Sequence, residues 1–65
     1  MDASRAKCPV PICTWSVDAK KNDLQDILRC CLALHDHLAM THQLAEEEAH
    51  LISTNWAKPL LKTAK

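Results

Sequence analysis

Cys8 and Cys13 bracket a stretch stiffened by Pro9 and Pro11, and after 23 intervening residues past Cys13, His37 and His42 repeat the same spacing. In a chain of 65 residues these two pairs constrain the fold more than hydropathy does. Such a chain forms one domain at most and buries only about 60% of its unfolded surface, so it needs a staple: disulfides, a metal or a partner. The sequence sharpens that need. It has no Gly, Phe or Tyr, and its only aromatics are Trp15 and Trp56, so the core must come from Leu, Ile, Val, Ala and two indoles.

Four cysteines allow either a disulfide scaffold or a metal site. The N-terminus, Met1-Asp2-Ala3-Ser4-Arg5-Ala6-Lys7, has no apolar h-region, and no apolar run approaches the roughly 20 residues of a membrane span. A cytoplasmic location is therefore expected, where thiols stay reduced and metal binding is favoured over disulfides. Zinc takes four N or S ligands in a tetrahedron, and structural sites use all four positions for protein. A tight turn presents two cysteines well and the last turns of a helix present two histidines well. The expectation is one structural zinc ion held by Cys8, Cys13, His37 and His42.

From Asp23 onward the pattern turns helical. Leu24, Ile27, Leu28, Cys31, His35, Leu38, His42, Ala45, Ala49 and Ile52 recur in steps of three and four, one apolar stripe at ~100° per residue. Asn22 or Asp23 can cap its start, with Asp26 near the positive end of the helix. One unbroken helix from 23 to 56 would be about 50 Å long, so a bend or break is expected between Thr41 and Glu46. Pro59 is expected to stop or restart a helix. The expected fold is mainly α, with a small α+β variant: a zinc knuckle or short β-hairpin at 8–17 packed on a long bent helix at 23–56. Residues 1–7 read as a flexible lead-in, 18–22 as a solvated link, 8–56 as a single zinc-binding domain, and 57–65 as a basic tail or short helix.

The string Leu34-x2-His37-Leu38-x2-Thr41-His42 resembles the helix end of C2H2 zinc fingers, in which an apolar residue precedes the first histidine by three. Cys-Pro-x-Pro-x-Cys followed by Trp15 resembles the metal knuckle of such fingers, including small single-finger proteins of bacteria and phages. The resemblance covers roughly residues 8–42 and implies a ββα-like or knuckle-plus-helix topology around the metal. It departs from that family in its long Cys-to-His spacer and in lacking the linker of tandem DNA-binding fingers. It leans towards a bacterial or phage source, and hence towards the cytoplasm of a bacterial host cell.

Rival ligands exist. His35 lies on the apolar stripe, whereas His37 lies about 140° from it; the motif favours His37, and two bound histidines five positions apart require the helix to loosen near Thr41. Cys31 lies on the stripe as a small buried hydrophobe and Cys30 is expected to be partly exposed. Trp15 should cover the knuckle. Glu46-Glu47-Glu48 reads as a solvated face. Leu51, Ile52, Trp56 and Leu60 either fold back on the helix or form an apolar patch for a partner.

A shell of two cysteines and two histidines leaves no position for substrate water, and so short a chain has little wall for a pocket, so no enzymatic activity is expected. Two binding roles remain. A DNA-binding regulator of C2H2 type would use Lys20, Lys21, Arg29, Lys58 and Lys62 on phosphates. The helix, however, also carries Asp23, Asp26 and Asp36, a poor surface for a polyanion. Between Asn22 and Trp56 six acids face one base, Arg29, while the other bases flank that stretch. The favoured expectation is therefore a small regulatory module that binds another protein or itself.

Overall fold

The computed structural model describes residues 3–20 and 22–63. Small residues alternating with charged ones set the first element, strand β1, Ala3–Lys7. Ala6 is buried while Arg5 and Lys7 are exposed. Strand β2, Ser16–Lys20, answers it with Ala19 buried and Asp18 and Lys20 outside. The two pair antiparallel, Arg5 opposite Asp18 and Ala6 opposite Val17, and the Arg5 Nε–Asp18 Oδ1 pair closes the outer face at 2.9 Å. The hairpin expected at 8–17 thus has most of its strands outside those bounds, with only Ser16 and Val17 of β2 within them. The lead-in of 1–7 contributes β1, and the link of 18–22 contributes the end of β2. Pro9 and Pro11 cannot donate to a ladder, so the strands form on either side of the proline-bearing turn.

Helix α1, Leu24–Thr41, starts where Asp23 takes extended geometry and its Oδ1 accepts the Asp26 N–H at 3.1 Å, an N-cap. Asp26 then ties the helix to the hairpin. Its Oδ2 accepts the Lys20 N–H at 2.7 Å and its Oδ1 accepts Arg29 Nη2–H at 2.7 Å. These donors hold the Asp26 carboxyl below the usual range, the Lys20 amide first and Arg29 second.

The break expected between Thr41 and Glu46 is present. Gln43 adopts φ 53°, and the Leu44 N–H reaches back to the Leu38 carbonyl at 3.2 Å. Helix α2 then runs Glu46–Thr63. It continues through Pro59, so 57–63 is neither a tail nor a separate helix. Pro59 lies on the exposed side, where water can serve the Asn55 carbonyl that its ring leaves without an N–H. Leu60 and Leu61, packed beside Ile27 and Cys30, hold the last turns in place.

The hairpin packs on the two helices as a mainly α fold with a ββα-like start. Two core clusters divide it along its length. One holds Ala6, Cys8, Leu34, Leu38 and Ala49; the other holds Ala19, Ile27, Cys30 and Ala57. Val17 and Trp56 pack against both. Leu38 meets Ala49 at one end and Ile27 meets Ala57 at the other, so α1 and α2 run antiparallel.

The buried face of α1 is Ile27, Cys30, Leu34 and Leu38. This corrects the expected stripe, since Leu24 and Leu28 are 45% and 44% exposed. Cys30 and Cys31 exchange roles accordingly. Cys30 is fully buried and its thiol donates to the Asp18 carbonyl at 3.3 Å, while Cys31 is half-buried. The hairpin and α2 both press on the Cys30 side, and that contact selects the face.

Candidate metal centre

Local backbone bonds shape the knuckle. Cys13 N–H donates to the Val10 carbonyl at 3.0 Å, closing a four-residue turn with Pro11 second, the position where its fixed φ suits the turn. Cys8 N–H donates to the Trp15 carbonyl at 3.1 Å, which continues the ladder and sets Cys8 and Cys13 facing the same side.

The histidines come from the end of α1. His37 is half-buried at the edge of the true buried face, on the Cys30 side; the 140° offset expected for it was measured from the misplaced stripe. His42 is the C-cap of α1 at φ −105°, ψ −1°, just past the last helical residue. The loosening needed near Thr41 is thus the helix terminus itself, and it lets the two rings meet edge to face with centroids 5.0 Å apart.

Cys8 Sγ lies 3.2 Å from His42 Nε2, and Cys13 Sγ lies 3.3 Å from His37 Nε2. All four donor atoms fall within 4.8 Å of one another. A tetrahedral zinc with Zn–S near 2.3 Å and Zn–N near 2.0–2.1 Å has N···S edges of about 3.5 Å, close to the observed spacings. The donor set is therefore compatible with one structural zinc ion, with both histidines offering Nε2. Among the described residues this is the one group of three or more donors that close together. His35 stays outside it, with Nδ1 3.7 Å from Asp36 Oδ1.

The surroundings disfavour charge on two of the donors, Cys8 and His37. Burial pushes the Cys8 thiol up, and the neighbouring Cys13 adds to it against a lowering backbone hydrogen bond. Burial first, and His42 second, push His37 down. Two thiolates crowded together are costly unless a dication compensates them, which is the chemistry of a metal centre.

Trp15 closes one side. Its ring stacks on His37 with centroids 4.5 Å apart and planes 12° from parallel. Covering of the knuckle by Trp15 was expected from the sequence; the stack on a ligand ring was not, because no spacing rule relates residues 15 and 37. Trp56 has a role the sequence did not suggest. Ladder alternation from Cys8 turns the Arg5 carbonyl away from β2, and the Trp56 indole N–H donates to it at 3.1 Å. The indole thereby covers part of the open edge of β1.

Of the other candidate residues, Leu51 is exposed, whereas Ile52 and Leu60 are half-buried against the two core clusters. Lys20, Arg29, Lys58 and Lys62 are exposed, and Arg29 is paired with Asp26. Lys21 lies outside the described residues. No helix among the described residues is long and apolar enough to cross a membrane.

No protein-family model, curated protein or solved structure matches this chain. The Cys2His2 cluster and the ββα-like arrangement are consistent with a zinc finger extended by a second helix.

Proposed function

We propose that this chain is a zinc-stabilised binding module, without catalytic activity, that works in the cytoplasm by docking on protein. The convergence of Cys8, Cys13, His37 and His42 within 4.8 Å carries the reading. Four protein donors fill a tetrahedral shell, so the ion acts as a staple and offers no coordination position to a substrate. What the staple holds rigid is the pair of helices, whose outer faces carry carboxylates and exposed leucines rather than a basic stripe.

The test has two parts. Native mass spectrometry of the reduced protein should find one zinc, and a chelator should collapse the helical circular dichroism, because metal binding and folding are coupled. A metal-free, fully helical protein would refute the staple. Retention on DNA at low salt should be absent. Retention that falls steeply with salt and is lost in Lys20→Ala/Lys58→Ala would instead establish nucleic-acid binding. That second reading draws on one observation: exposed Lys20, Lys58 and Lys62 adjoin, in sequence, Ala19, Ala57 and Leu61, which share one core cluster.

A further inference from the structure

The outer faces of the helices carry a repeated pattern. Arg29, Leu32 and Asp36 follow one stripe of α1 at steps of three and four, opposite its buried face. Glu47, Leu51, Thr54 and Lys58 follow one stripe of α2 in the same way. Each stripe has a leucine near its middle, a base at one end and an acid at the other. Since the helices run antiparallel, the acids Asp36, Glu46 and Glu47 share one end of the pair, and Arg29 and Lys58 share the other.

Between the stripes lies a groove of about 300 Å³, lined by Cys31, Leu32 and His35 from α1 and by Glu46, His50 and Thr54 from α2. Among the described residues, none of the hairpin lines it. Leu32 is 66% exposed and Leu51 59%, with Leu28 at 44% on the same side as Leu32.

We propose that this groove and its two flanking stripes dock a second copy of the chain, through a two-fold axis across the helices. Such an axis lays each helix antiparallel on its own counterpart. Arg29, which also pairs with its own Asp26, then meets the partner copy's acidic end at Asp36, Glu47 meets Lys58, and the leucines fill the centre. An isologous contact requires a self-complementary patch, and stripes with opposite charges on either side of a leucine provide one. A basic peptide or a nucleic acid would be repelled by one half of the same face. The size also fits. A standard interface buries about 800 Å² per partner, and with 4766 Å² of total surface that is about one-sixth of the chain, the extent of a helix-pair face.

The inference rests on the protein-docking reading, and bound zinc in the same samples separates the two. Sedimentation equilibrium of the zinc-loaded chain from about 5 to about 500 μM should show the mass rising from 7.3 kDa to twice that value. Leu32→Glu should weaken association at least about tenfold with zinc content and helical signal unchanged. Ile12→Glu, on the knuckle at 92% exposure, should leave it as it was. Glu47→Lys and Lys58→Glu should each weaken it, and the double variant should restore it. A monomer that carries one zinc at about 500 μM would overturn the docking alone, and so would a dimer indifferent to Leu32→Glu or not rescued by the charge swap. A sample without zinc or helix would overturn both readings.

Discussion

Trp15 and His37, 22 positions apart, lie face to face with ring centroids 4.5 Å apart. The stack fixes the plane of a ligand ring and shields one side of the donor cluster. A half-buried Trp reduced to Ala costs part of the roughly 3–5 kcal/mol of a fully buried one, so Trp15→Ala should destabilise by about 2 kcal/mol. Zinc transfer to a chromophoric chelator should quicken in Trp15→Ala and recover in Trp15→Phe, which keeps a stacking face. Equal rates in all three proteins would show that the stack does not guard the metal.

Zinc content should separate the four ligand positions from His35 and Cys30. Alanine at Cys8, Cys13, His37 or His42 should abolish stoichiometric zinc and the cooperative unfolding transition. His35→Ala should retain both. Cys30→Ala should keep its zinc yet melt lower, by roughly 1–2 kcal/mol, because a fully buried thiol and its bond to the Asp18 carbonyl are lost. Loss of zinc in Cys30→Ala would place that thiol in the metal shell.

Acid should strip the metal, and the sign follows from His37. Burial lowers its folded pKa, so the folded state binds fewer protons than the unfolded one. The stability it contributes is present above the ordinary histidine value of about 6.5 and is lost as pH falls below that towards the lowered value. Zinc release and loss of helical signal should coincide on acidification, with a midpoint below about 6.5. Release beginning above neutrality would contradict a buried histidine ligand.

The turn between the helices contains a strained residue. Gln43 sits at φ 53° in a chain without glycine. A non-glycine residue in the left-handed region costs about 1 kcal/mol, partly offset in glycine by greater unfolded-state freedom. Gln43→Gly should therefore raise stability by about 0.5 kcal/mol, seen as a higher thermal midpoint with zinc affinity unchanged. A lower midpoint would mean that the Gln43 side chain holds the turn.

Much of the centre was legible in the chain itself. The two Cys and two His spacings named all four donors, and the length of the helical stretch called for the break that Gln43 makes. The phase of α1 was misread, because steps of three and four fit two overlapping sets: Leu24, Leu28 and Cys31, or Ile27, Cys30 and Leu34. Periodicity alone ranks these nearly equally. β1 was missed although Arg5-Ala6-Lys7 alternates, since three residues give too short a period to outweigh a polar terminus.

The sequence by itself determined which atoms can bind a metal, where the backbone cannot form a ladder and where a helix begins, because donor chemistry, proline and an N-cap act within a few residues. Only the tertiary structure decided which side of α1 is buried, that α2 runs on through Pro59, and that Trp15 lies on His37. Each of these depends on surfaces brought together from distant parts of the chain, and the free energy of covering apolar area outweighs local preference there.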